Sequence, residues 1–157
     1  MTIHTAAGTK IYIGPAVTES TNTQGEYEAL AFTEIGEVEN LGEFGDTANI
    51  ITFQNLGQRR VKKQKGSFDA GQIALTVGSD SADAGQAALV AAFAQDSEYA
   101  FKVVENDGSV GSPSAGSTSY FRAIVTSKPK NIGTVDNVVR RTFNIAISSE
   151  LTEVAAV

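Results

Sequence analysis

The feature that most constrains the fold of this chain is a period of two near its C-terminus. Val139, Arg141, Phe143, Ile145 and Ile147 fall on one face of an extended segment. Successive side chains of a strand point to opposite faces, so this spacing predicts a half-buried strand. Ile73, Leu75 and Val77 repeat the pattern, with Gln72, Ala74 and Thr76 on the other face. Tyr99, Phe101 and Val103 form a third set, and Phe121, Ala123 and Val125 a fourth. Residues 9–14 read as a short strand ended by Gly14-Pro15, residues 18–25 as a polar loop, and residues 31–41 as strand-like but interrupted by Gly36.

One segment has a different period. Residues 81–95 are alanine-rich, with Leu89 and Phe93 four apart, Ala88 and Ala92 likewise, and Ser79 or Ser81 available as an N-cap. This spacing predicts one helix, laid over a sheet or an open barrel end. Residues 106–119 are too rich in glycine, serine and proline to belong to a core and read as a flexible hairpin loop. The fold class expected is mainly β: a β-sandwich or open barrel of antiparallel strands with one flanking α-helix. At 157 residues and 41% apolar content, the chain suffices for a single domain spanning residues 1–157.

Charge is segregated along the chain. Residues 11–58 hold eight carboxylates and no lysine or arginine, and then Arg59-Arg60-Val61-Lys62-Lys63-Gln64-Lys65 places five cations in seven positions. An ordinary solvated surface intersperses both signs, so this arrangement predicts two surfaces built for different neighbours. If the basic run is extended, Arg59, Val61, Lys63 and Lys65 share one face and Arg60, Lys62 and Gln64 the other, and neither is apolar enough for a core. Nucleic acid and plain solvent are two readings of the run, but the net charge of −6 and the lack of an interleaved aromatic platform weigh against nucleic acid. An anionic protein neighbour explains the same residues and also uses the acidic segment.

Chemistry is thinly represented. The sole histidine, His4, lies near the terminus and reads as exposed, so neither a Ser-His-Asp triad nor a multi-histidine metal site is expected within one subunit. Absence of cysteine removes thiolate chemistry and disulfides. Glu37 and Glu39 would share a strand face roughly 6–7 Å apart, but the carboxylates of a glycosidase usually face each other from separate elements. The glycines at positions 108–116 lack the Gly-Lys-Ser/Thr ending of a phosphate-binding loop, and Asn106-Asp107-Gly108 lacks the further oxygen ligands of a calcium loop and reads as a turn. No catalytic residue, cofactor or metal site is expected. The longest apolar stretch, residues 87–94, is too short to span a bilayer, and the first five residues lack the character of an export signal.

Three stretches together resemble the major tail tube protein of long-tailed bacteriophages. They are Gly45-Asp46-Thr47-Ala48-Asn49-Ile50-Ile51-Thr52-Phe53, residues 58–66 with the basic cluster, and Gly133-Thr134-Val135-Asp136-Asn137-Val138-Val139-Arg140-Arg141-Thr142-Phe143-Asn144-Ile145. The order of elements fits as well: an early long loop, a central helix and a strong last strand. The resemblance implies hexameric rings that stack head to tail around a channel for DNA, which passes without specific binding, with a long loop reaching the adjacent ring. It also implies a place in the virion after synthesis in the host cytoplasm, with tape measure, tail terminator and distal tail proteins as further partners.

On that basis residues 42–66 are the expected assembly loop. Ile50, Ile51 and Phe53 are its apolar anchors, and Arg59, Arg60, Lys62, Lys63 and Lys65 its charged contacts. Glu34, Glu37, Glu39, Glu43 and Asp46 are expected on an anionic channel wall or a contact surface. Residues 150–157 are expected to form a tail that docks on a neighbour. The alternatives are a β-sandwich binding or decoration module of a virion, and a secretion-system tube protein whose cargo would be protein.

Overall fold

The four alternating segments form the middle of one antiparallel sheet. The computed structural model describes residues 3–108 and 116–156. Its strands are β1 (Lys10–Val17), β2 (Thr33–Glu34), β3 (Val38–Asn40), β4 (Thr47–Phe53), β5 (Lys62–Asp69), β6 (Gln72–Gly78), β7 (Glu98–Val104), β8 (Thr118–Ser127), β9 (Lys130–Asn131), β10 (Arg140–Ile147) and β11 (Thr152–Val154). Two helices, α1 (Gln24–Glu28) and α2 (Ala84–Phe93), complete the described elements. The main sheet runs β2-β1-β7-β8-β10-β6-β3, with β11 beside β8 and β9 beside β10, while among the described residues β4 and β5 pair only with each other.

The period of two translates directly into burial. Ile73, Leu75, Val77, Phe101, Val103, Phe121, Ala123, Val125, Phe143, Ile145 and Ile147 all lie in one core with Ile11 and Ile13. Phe101 and Phe121 stack across β7 and β8, their ring centroids 5.6 Å apart. Each such side chain contributes about 1.5–3 kcal/mol when taken fully out of water, which makes this face the main source of stability. Arg141 departs from the apolar series and lies half-buried, its guanidinium 5.9 Å from the Phe143 ring.

The two ends of the sheet are joined by one stretch of chain. Residues 33 and 34 pair with β1, the Ile35 N–H donates to the Ile11 carbonyl at 2.9 Å, and Val38 and Asn40 pair with β6. The sheet therefore curls into an open barrel. Between the two pairings the chain turns at Glu37, which has φ +56°, and the Glu37 carbonyl accepts the Gly78 N–H at 2.8 Å. This turn corrects the expectation that Glu37 and Glu39 share a strand face, because Glu37 is not in a strand.

Helix α2 lies against this joining stretch. Its N-cap is Asp83 rather than Ser79 or Ser81: the carboxylate accepts the Gln86 N–H at 2.9 Å and also the Gly36 N–H at 3.1 Å. A Cβ on Gly85 would sit 2.3 Å from the Glu34 carbonyl oxygen, so only glycine allows the helix this close. Leu89 and Ala92 enter the core, whereas Phe93, expected to join Leu89, is partly exposed beneath the Lys128 ammonium.

Three further expectations are corrected. Strand β1 does not stop at Gly14-Pro15 but continues to Val17 through a bulge between Ile13 and Ala16, a position where proline's missing N–H breaks no ladder. The loop expected at 18–25 ends in α1, whose Thr23 and Glu26 form a capping box. N–H groups of Asn22 and Thr23 hold the Glu26 carboxyl below its ordinary pKa. The stretch around α1 covers the outer face of β7 and β8, where Tyr27 stacks on Tyr120 at 5.3 Å beside Ala100. Finally, β11 pairs Thr152–Val154 with β8 of the same chain, so this part of the segment expected to dock on a neighbour lies against its own subunit. Residues 109–115 of the expected hairpin loop, and residue 157 of the expected tail, lie outside the described residues.

A candidate assembly interface

Strands β4 and β5 form a two-stranded arm separate from the main sheet. Their register pairs Thr47 with Asp69, Ala48 with Phe68, Ile50 with Lys65, Ile51 with Gln64, Thr52 with Lys63 and Phe53 with Lys62. Cross-strand partners share a face, so Ile50, Thr52, Lys63, Lys65 and Phe68 lie on one side and Ile51, Phe53, Lys62 and Gln64 on the other. A bulge between Ala48 and Ile50 sits opposite Gly66 and Ser67, where Asn49 Nδ2 donates to Ser67 Oγ at 3.0 Å. The expected loop at 42–66 is thus a hairpin that returns as far as Asp69.

Both faces of the arm expose apolar side chains: Ile50 is 65% exposed, Phe53 64% and Phe68 68%. Ile51 is exposed as well, and Leu56 at the tip is fully so. A monomer seldom leaves this much apolar surface in one place without a partner. Arg59 and Arg60 lie in the tip, residues 54–61, while Lys62, Lys63 and Lys65 are on β5. None of the five has an ion-pair partner among the described residues. Asn55 shapes the tip, its side chain accepting the Gly57 N–H at 2.9 Å and its carbonyl the Gln58 N–H at 3.1 Å.

The five candidate carboxylates differ in their local partners. Glu34 on β2 pairs with Lys10 at 3.4 Å, and Glu39 on β3 pairs with Arg140. Each is answered locally, which removes much of its charge from any larger field. Glu37 is exposed at its turn, whereas Glu43 and Asp46 lie together at the root of the arm, beside Ala70 and Gly71. Gly71, with φ +81°, makes the turn from arm to sheet, its N–H donating to Asp69 Oδ1 at 2.9 Å.

Sequence reasoning missed several features. Leu56 and Phe68 lie outside the expected contact set, although their position beside the basic run and their size were available signals. A second exposed apolar tip connects β9 to β10, where Ile132, Val135 and Val138 project into solvent. On the outer face of the sheet, Arg122 is buried and pairs with Glu98, donates to Asn22 Oδ1 at 3.0 Å, and is flanked by a Ser148 hydroxyl donating to Glu98 Oε1 at 2.7 Å. His4 Nε2 donates to Glu105 Oε2 at 2.9 Å, close to Asp107, whose carboxyl is held below its ordinary range mainly by the Ser117 hydroxyl and N–H. Among the described residues this is the single grouping with a metal-compatible donor set, and Asp107 already serves Ser117.

No protein-family model matches the chain, and no curated protein matches its sequence. Solved structures do match its fold. A chain of the anti-feeding prophage baseplate, six-fold symmetrised, superposes with a TM-score of 0.72 at 10% identity, covering 99% of this chain and 97% of that one. One from the sheath/tube terminator of an extracellular contractile injection system gives 0.69 at 10% identity, covering 99% of each. The SPP1 tail tube gives 0.64 at 12% identity, covering 96% of this chain and 79% of that one. At such identities the likeness is one of fold, and it extends over nearly the whole chain. The curled, mainly β sheet with its helix is the fold of phage-like tail and injection-tube components.

Proposed function

We propose that this chain is a structural tube protein that polymerises as stacked hexameric rings into a phage tail tube. The observation that carries the reading is the arm: a hairpin paired only with itself among the described residues, exposing apolar side chains on both faces, on a fold like that of the SPP1 tail tube. Ile50, Ile51 and Phe53 supply the adhesive area, since each apolar side chain buried contributes about 1.5–3 kcal/mol. Arg59, Arg60, Lys62, Lys63 and Lys65 set register and steering, since an exposed ion pair is worth only ~0.2–1 kcal/mol. The role is structural rather than enzymatic.

DNA passes through the lumen without specific binding, for which the net charge of −6 is suited, because like charge keeps phosphates off a wall. Of the acidic candidates, Glu37 and Glu43 serve such a field better than Glu34 and Glu39, which are already paired, while Asp46 at the arm root suits a contact between copies. The assembled protein resides in the virion tail, after synthesis in the host cytoplasm, with tape measure, tail terminator and distal tail proteins as neighbours. The likeness to injection-system components supports a second reading in which the same tube carries protein.

Negative-stain microscopy of the concentrated protein tests the proposal. Hollow tubes with six-fold rings are expected, and a monomer or closed trimer at every concentration would overturn it. DNA released through reconstituted tails, as opposed to a protein cargo, separates the two readings.

A further inference from the structure

The two ends of the arm have complementary chemistry. At its root lies an open groove of about 470 Å³, floored by Phe68, Ala70 and Ile147 and edged by Asp46, Asp69 and Glu150. None of these three carboxylates has an ion-pair partner among the described residues. At its tip stand Leu56, fully exposed, and the two arginines Arg59 and Arg60. Thus an apolar knob with two cations stands at one end, and an apolar floor with three anions at the other.

Tip and root of one arm cannot meet, because the hairpin between them is extended and each paired residue adds about 3.3 Å. Two copies can. We infer that the arm tip of one copy seats in the arm-root groove of the next, with Leu56 on Phe68, Ala70 and Ile147 and the guanidinium groups of Arg59 and Arg60 on Asp46 and Glu150. This deepens the assembly proposed above and rests on it for the identity of the partner. Guanidinium suits the site, since its planar fork binds carboxylates through two parallel hydrogen bonds. Asp69 keeps one oxygen on the Gly71 N–H and faces the groove as the third anion. The contact joins unlike patches, so it propagates in one direction instead of closing on a pair. Because the tip reaches over about 11 residues, and n extended residues span at most ~3.3–3.6 Å × n, it offsets successive copies by no more than about 40 Å along the arm.

The chain has no cysteine, which makes crosslinking clean. A variant carrying Gln58→Cys and Glu150→Cys, oxidised at concentrations where the protein assembles, is expected to give a ladder of disulfide-linked oligomers on a denaturing gel. Each single variant gives dimers at most. Tubes without a ladder would overturn the tip-in-root contact and leave the tube reading intact. A ladder without tubes would support the contact and count against the tube. Neither ladder nor tubes would overturn both. As an independent readout, R59E/R60E is expected to lower polymer yield at least about tenfold, and adding D46R/E150R to restore most of it. Failure of the swap to rescue would also overturn the contact.

Discussion

The Asp83 carboxylate caps helix α2 and, at 3.1 Å, also accepts the backbone N–H of Gly36, 47 residues away in sequence. One side chain thereby fixes the helix to the stretch that joins the two ends of the sheet. Asp83→Ala removes an N-cap, typically worth about 0.5–2 kcal/mol, and leaves the partly buried Gly36 N–H without its partner. The expected loss is about 2–3 kcal/mol in urea denaturation, with Asp83→Ser recovering part of it through the cap alone. A loss under about 0.5 kcal/mol would show that the helix is held by its apolar side only.

Gly85 and Gly25 provide a contrast within the two helices. A methyl group at Gly85 meets the Glu34 carbonyl at 2.3 Å, whereas one at Gly25 meets nothing within 4 Å. Gly85→Ala is expected to cost about 3 kcal/mol or more, because backbone rather than a side chain must move. Gly25→Ala should be neutral or stabilise by up to about 1 kcal/mol. Calorimetric melting of the two variants checks both signs.

Arg122 is more deeply buried than its partner Glu98. Glu98→Ala is therefore expected to be the more damaging change, about 3–5 kcal/mol, since it strands a buried cation with Asn22 as its remaining charge-neutral acceptor. The double variant E98Q/R122M should regain much of that loss, as apolar replacement of a buried pair often does. A double-mutant cycle by chemical denaturation measures the coupling.

Ile50 and Phe53 sit on opposite faces of the arm and are largely exposed. Ile50→Ser with Phe53→Ser is expected to leave monomer stability within about 0.5 kcal/mol, as for most exposed substitutions, while polymer no longer pellets. Loss of the monomer fold would assign the arm a role within its own subunit.

Asp107 governs part of the acid response. Its pKa is lowered in the folded state, chiefly by Ser117, so its contribution is present above the unfolded value of about 3.9 and is lost as pH falls through the lower, folded value. Urea midpoints of Asp107→Asn should therefore converge with those of the parent protein as pH drops from 5 toward 2. A constant offset across that range would rule out the charge as the cause.

The sequence made the core strands legible because period two is a local signal and each inward residue is named by it: Ile73, Leu75, Val77, Phe143, Ile145 and Ile147 lie where alternation places them. It was blind to features set by distant partners. The second bond of Asp83 depends on Gly36, the turn at Glu37 on Gly78, and β11 on a strand more than 30 residues earlier, relations that no local window contains. Helix α1 is five residues long, too short for periodicity, although Thr23 and Glu26 carried its capping-box spacing. For the candidate interface, the basic run marks the tip and the returning strand of the arm. Its carboxylates could not be told apart in the sequence, because Lys10 and Arg140 approach Glu34 and Glu39 only once the sheet has formed.

The separation of the arm from the sheet also bears on timing. A lone two-stranded ribbon is only marginally stable in water, so β4 and β5 gain most of their order from whatever receives them. On the assembly proposed above, two free subunits would each have to order a ribbon at first encounter, whereas a growing end already offers a formed surface. Initiation is then slow and extension fast. Polymer would start where a template exists and not throughout the cell, and a kinetic lag abolished by preformed seeds is the signature of such a device.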